Sequence, residues 1–151
     1  MANHLAGVLN VRADCHVIPD HKWSLHPEVV QYIFHLWGVQ QLDLFATWED
    51  TKSKNYCSLQ HAKRESWVDA FLVTWSLPLH YAFPPIPLIS RVMRNICLDW
   101  AQVILIAPDW PKRIWYADPI SLSPPLRLPH RIDLLSLSQG QVLHPNLRTL
   151  H

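Results

Sequence analysis

A strand, a helix and a second strand follow one another between His80 and Pro108, and this succession constrains the fold more than any other feature of the chain. The strand "LHYAF" ends sharply at Pro84 and Pro85, because each proline fixes φ and removes a backbone donor. The run "IPLISRVMRNICLDW" spaces its apolar residues for one helix face, and "AQVILIAP" is a continuous apolar run, typical of a parallel strand buried on both faces. The three pieces predict a βαβ unit.

The preceding residues extend this pattern towards the amino terminus. The run "SLHPEVVQYIFHLWG" predicts a helix with Ser24 as a possible cap and Gly38 at its end, and "VQQLDLFA" predicts a buried strand. The apolar residues of "SWVDAFLVTWS" fit both a strand and a helix, so that segment stays open. We therefore predict one α/β domain with a mainly parallel, Rossmann-like sheet of about five strands and helices on both faces.

The residues after the βαβ unit give weaker signals. The run "WPKRIWYADPI" predicts a helical turn or lid, and "PLRLP" predicts a short strand. Gly140 marks a turn in the Ser- and Gln-containing tail.

Composition narrows the classes of function. The formal net charge is +1, so nucleic acid binding would have to rest on a local basic patch. The three cysteines are far apart and form no C-x-x-C pair, which predicts neither a disulfide framework nor a zinc cluster. No stretch resembles a signal peptide or a membrane span, so the expected location is the cytoplasm or the nucleus.

Several segments of the chain, taken in their order, resemble the sequence of a known family. The stretches "WSLHPEVVQYIFHLWG", "DLFAT", "YAFPPIPLISRVM" and "VILIAPDWPKRIWY" are similar to the phage-type Dam DNA adenine-N6 methyltransferase domain of DIRS-type, tyrosine-recombinase retrotransposon polyproteins. The resemblance covers residues 23–135 and leaves residues 136–151 as a tail. It implies S-adenosylmethionine as a cofactor, DNA as a partner and no metal.

The first 22 residues resemble a different part of such a polyprotein. The stretch "HLAGVLNVRADCHV" is similar to the carboxyl-terminal end of a retroelement RNase H domain, with Asp14 at the position of one metal-binding carboxylate. The other carboxylates of that family lie upstream and are absent from this chain. One carboxylate cannot hold the two metal ions of such a site, so we expect a remnant without RNase H activity.

The resemblance identifies a degenerate catalytic motif. The family's Asn/Asp-Pro-Pro-Tyr/Phe motif grips the exocyclic amine of a flipped base and stacks an aromatic ring on it. Here the four positions are Phe83, Pro84, Pro85 and Ile86, so the polar acceptor and the stacking ring are both missing. Core packing is the favoured alternative role for Phe83 and Ile86.

Further site residues have two interpretations each. Asp43 matches the family's cofactor-side aspartate, and a loop or helix cap is its alternative role. Lys112, Arg113 and Arg127 could form a phosphate-contacting rim, whereas a solvated face is the alternative. Three functions follow: a methyltransferase-like domain without chemistry that binds nucleic acid or S-adenosylmethionine, an active DNA adenine methyltransferase, or a structural fragment of a reverse transcriptase/RNase H polyprotein.

Overall fold

A computed structural model of the chain describes residues 8–11, 23–38, 40–47, 50–58, 67–76, 78–128, 134–137 and 142–143. Its helices are α1 (Pro27–Trp37), α2 (Ile89–Asp99) and α3 (Ala117–Leu122). Its strands are β1 (Val8–Val11), β2 (Trp23–Leu25), β3 (Leu42–Asp43), β4 (Asn55–Ser58), β5 (Trp67–Val68), β6 (His80–Ala82), β7 (Val103–Pro108), β8 (Leu126–Arg127), β9 (Leu135–Leu137) and β10 (Val142–Leu143). Single 3-10 turns span Ala70–Leu72, Ile86–Leu88 and Ile114–Tyr116.

The main sheet is parallel throughout and has the strand order β5-β4-β3-β6-β7-β1-β8. The five neighbouring strands β5-β4-β3-β6-β7 have the Rossmann order. In this order the chain runs from β3 outward to β5 and then returns to β6, on the other side of β3. This confirms the predicted α/β fold class. Seven described strands form this sheet, more than the five or so that were expected, and the short strand predicted at "PLRLP" is β8.

β1 lies between β7 and β8, with Val8 opposite Leu105 and Leu9 opposite Leu126. The segment that resembles an RNase H end therefore contributes a strand to the same sheet as the rest of the chain. A second, antiparallel sheet has the order β10-β9-β2 and was not predicted. The turn predicted at Gly140 lies outside the described residues.

Two hydrophobic cores cover the two faces of the main sheet. Along β7, Val103 and Leu105 face one core while Ile104 and Ile106 face the other, as the twofold period of a strand requires. The α2-side core includes Leu44, Trp75, Ala82, Val92, Met93 and Ile96. The α1-side core includes Leu25, Val29, Val30, Ile33, Tyr81 and Leu135. The predicted placement of helices on both faces is confirmed.

The limits of α1 follow from its end residues. Pro27 occupies the first turn, and the Nδ1 atom of His26 accepts a hydrogen bond from the backbone N–H of Glu28 at 3.3 Å. Gly38 ends the helix with φ of 95° and donates its N–H to the Phe34 carbonyl at 2.8 Å. Ser24 is not the cap as expected, because it lies within β2.

Candidate functional site

The sheet changes direction between β3 and β6, which are neighbours although the chain leaves them towards opposite edges. In open α/β sheets, ligands bind in the crevice outside the carboxyl ends of the strands at such a switch point. Asp43 is the last residue of β3, and Phe83 directly follows β6. The structure therefore brings the predicted cofactor-side aspartate and the predicted catalytic corner to the same crevice.

The two prolines of the corner turn the chain from β6 towards α2. Pro84 is buried and Pro85 is exposed, and the Pro85 carbonyl accepts a hydrogen bond from the Leu88 N–H at 2.9 Å. Phe83 packs against the α1-side core and Ile86 against the α2-side core, both partly buried. Phe83 and Ile86, at the positions of the polar acceptor and the stacking ring in the motif that this corner resembles, therefore contact hydrophobic cores on opposite faces of the sheet.

Asp43 closes the loop that follows β3. Its side chain is 2% exposed, and its two oxygens accept hydrogen bonds from the backbone N–H groups of Phe45 at 3.3 Å and Lys52 at 2.9 Å. Both oxygens of this carboxylate are thus engaged by the chain's own backbone. This geometry matches the loop-capping role that the sequence left open.

Lys52 connects that loop to the second sheet and was not singled out from the sequence. Its ammonium group donates a hydrogen bond to the hydroxyl of Ser24 in β2 at 2.7 Å. Burial lowers the pKa of Lys52, and the carboxylates of Asp43 and Asp50 oppose that shift. Asp50 itself accepts hydrogen bonds from the N–H and hydroxyl groups of Thr47 at 2.5 and 2.9 Å. No sequence motif marks Lys52, because its partner lies 28 residues away.

Tyr81, in the strand next to Asp43, carries a buried hydroxyl group. The two residues face each other in the β3–β6 register, and Tyr81 is 2% exposed. Its hydroxyl has no hydrogen-bond partner in the described part of the chain, and its ring meets that of Phe34 edge-on at 6.0 Å. Burial, followed by the charges of Asp43 and Asp50, raises the pKa of Tyr81 well above its usual range, so this phenol stays protonated.

The predicted basic rim lies at the carboxyl ends of the neighbouring strands. Lys112 and Arg113 follow β7, and Arg127 ends β8. The guanidinium of Arg113 lies 5.2 Å from the centre of the Trp110 ring. Arg127, with a side chain 79% exposed, pairs with Asp109 at 3.9 Å.

A fourth cation lies at the same edge and was missed from the sequence. Arg91, in the first turn of α2, holds its guanidinium 3.8 Å from the centre of the Phe71 ring. Phe71 in turn stacks on Trp75 with ring centres 5.8 Å apart. Arg91 lies at the start of the helix that follows the Pro-Pro corner, and that helix begins at the carboxyl edge of the sheet. This position is the sequence signal that would have identified Arg91.

Two further expectations concern metals and membranes. Asp14 lies outside the described residues. Within the described ranges, no three His, Cys, Asp or Glu side chains are grouped to hold a metal ion. None of the helices in those ranges is both long and apolar enough to cross a membrane.

Comparisons with known proteins give no relative. No family model matches the chain, and no curated protein or solved structure is significantly similar to it.

Proposed function

We propose that this chain is a retrotransposon-derived, methyltransferase-like domain that has lost adenine methylation and retains a binding role. The observation that carries the proposal is the position of the Phe83–Ile86 corner. It occupies the switch point of a Rossmann-ordered sheet, where ligands of such sheets bind, and yet its two substituted side chains pack into the protein.

The cost of the substitutions supports the loss of chemistry. A missing polar contact to a buried amine weakens binding by about 1–3 kcal/mol. A missing polar group that would stabilise the transition state, comparable to one oxyanion-hole group, raises the activation free energy by about 3–4 kcal/mol. Together these amount to roughly 10³- to 10⁵-fold in rate at limiting substrate, before the loss of ring stacking is counted.

The retained role that the geometry favours is nucleic acid binding at the carboxyl edge of the sheet. Four cations follow or end three of its strands: Arg91, Lys112, Arg113 and Arg127. A chain whose formal net charge is only +1 therefore carries a local basic edge. Two of these arginines lie over aromatic rings, which restricts their motion and orients their donors. S-Adenosylmethionine is the second candidate ligand, bound in the crevice beside Asp43.

A structural fragment without any ligand is the alternative. It is favoured by Asp43, whose oxygens already accept two backbone hydrogen bonds. On this alternative the carboxylate maintains the loop after β3 and the crevice has no occupant.

Binding measurements separate these possibilities. We expect fluorescence anisotropy with a labelled oligonucleotide to give binding that weakens as salt rises, because cations release condensed counterions from phosphates. The double variant Lys112→Ala/Arg113→Ala should bind several-fold more weakly. Lys54→Ala is the matched control, since Lys54 precedes β4 at the opposite edge of the sheet.

Calorimetry with S-adenosylmethionine is the companion experiment. Heat above background at millimolar cofactor supports binding in the crevice. Absence of both cofactor heat and salt-dependent oligonucleotide binding contradicts the proposal and leaves the structural fragment.

A further inference from the structure

The pair formed by Ser24 and Lys52 has no part in the proposed binding role. The Lys52 Nζ atom lies 2.7 Å from the Ser24 Oγ atom, a short distance for an N–H···O hydrogen bond. The two residues come from different sheets, since Ser24 belongs to β2 and Lys52 follows β3. A serine hydroxyl within hydrogen-bond distance of an amine is the arrangement by which a base activates a nucleophile.

The surroundings of Lys52 suit a base more than an ordinary surface lysine. The side chain is half-buried, and burial disfavours its charged form. The carboxylates of Asp43 and Asp50 face it and favour the charged form, but burial is the larger effect. The backbone N–H of Lys52 is held by Asp43 at 2.9 Å, which fixes the start of its side chain.

Ser24 is partly exposed in a strand at a sheet edge. Its neighbour Leu25 is 1% exposed in the α1-side core, so the alternation of a strand places Ser24 on the opposite face, where it is half-buried. Among the described strands β2 lies at the edge of the antiparallel sheet. An extended chain can align with such an edge and bring a carbonyl carbon to the hydroxyl.

We propose that Ser24 is a nucleophile activated by Lys52, and that the pair accepts acyl groups from carboxylic esters. The pair reacts after the Lys52 ammonium has lost a proton to solvent: the free amine then takes the Ser24 proton while Oγ bonds to the ester carbon. The carbon–oxygen bond to the leaving alcohol breaks, and that alcohol receives the proton from Lys52. Water then attacks the acyl-serine, which releases the acid and restores the hydroxyl.

An irreversible probe tests this pair directly. With a fluorophosphonate, Oγ forms a bond to phosphorus, fluoride leaves, and the Ser24 proton passes to Lys52. Peptide mapping by mass spectrometry should locate the adduct on Ser24. Ser53 is the internal control, because its hydroxyl donates to the Gln40 carbonyl at 2.8 Å and should react far more slowly.

Lys52→Arg separates a base from a structural link. Arginine keeps the positive charge and the donor, but it does not deprotonate in proteins. We expect the fluorophosphonate to label Ser24 about 100-fold more slowly in the Lys52→Arg variant than in the natural chain, in keeping with the usual contribution of a general base. In the natural chain the labelling rate should rise with pH and level off below the pH at which an ordinary lysine titrates.

Three results would overturn the proposal. The first is no adduct at Ser24, or one no faster than at Ser53. The second is Lys52→Arg labelling as fast as the natural chain. The third is a rate at Ser24 that does not depend on pH, which needs no variant and therefore does not depend on how the variant folds.

Discussion

Replacing Asp43 by asparagine tests how the crevice is built. The carboxylate is 2% exposed and accepts two backbone hydrogen bonds, from Phe45 and Lys52. An amide of the same shape keeps one acceptor oxygen but turns an NH₂ group towards the other backbone N–H. One buried donor therefore loses its acceptor, and the negative charge beside the Lys52 ammonium is removed.

The size of the effect follows from those contacts. An unsatisfied buried donor costs about 1–3 kcal/mol, and hydrogen bonds to charged groups lie in the upper part of that range. We expect Asp43→Asn to lower the free energy of unfolding by about 2–3 kcal/mol. Asp43→Ala leaves both backbone donors unpaired and should cost about 3–5 kcal/mol, a large share of the roughly 5–15 kcal/mol that stabilises a domain.

Urea unfolding followed by circular dichroism measures the difference. Asp118→Asn is the matched control, because Asp118 is exposed in the first turn of α3 and should change stability by less than about 1 kcal/mol. If Asp43 were instead held ready for a ligand, removing its charge would stabilise the free protein, as is common at binding sites. Asp43→Asn unfolding within about 0.5 kcal/mol of the natural chain, or more stable than it, would refute the loop-closing role.

Three other perturbations follow from single residues. Burial lowers the pKa of His80 more than the nearby Trp75 backbone raises it, so protonation of His80 favours the unfolded state. The free energy of unfolding measured in urea should therefore fall as the pH drops below about 6.5. The His80→Leu variant should lack this pH-dependent fall. Burial raises the pKa of Cys57 to about 12. In a Cys15→Ser background, Ellman's reagent should therefore label only the exposed Cys97 of the folded protein, and Cys57 only after denaturation. Trp100 ends α2 at φ of 52° and is 75% exposed, so Trp100→Gly should raise the unfolding free energy by about 0.5–1 kcal/mol; a loss would contradict the strain assigned to that position.

The long periodic segments were predictable because their patterns extend over several turns or residues. The helix of "PEVVQYIFHLW" and the buried strand "VILIAP" were both found from sequence. The open segment "SWVDAFLVTWS" proved to be mixed: β5 ends at Val68, and Asp69, with φ of 60°, turns the chain into a 3-10 turn. No period marks such a change, which depends on one residue capping the next turn through the Phe71 N–H at 2.9 Å.

The predictable part of the site rested on two signals. The Pro-Pro corner was placed from the end of an apolar run and Asp43 from the family resemblance, and the sheet order brings them together. Lys52 could not be found, because its burial and its contact with Ser24 arise from the meeting of two sheets. The three-stranded sheet was missed for a different reason: its strands of two or three residues show no period.

The most direct test of the central claim is methyl transfer from labelled S-adenosylmethionine to adenine-containing DNA. The natural chain is compared with Phe83→Asn/Ile86→Tyr, which introduces both the polar acceptor and the stacking ring of the motif that the corner resembles. Because Phe83 and Ile86 each pack against a core, circular dichroism first establishes that the double variant is folded. We predict transfer at background by the natural chain and measurable transfer by the double variant. Transfer by the natural chain equal to or above that of the variant would contradict the claim that this corner keeps the fold without the chemistry.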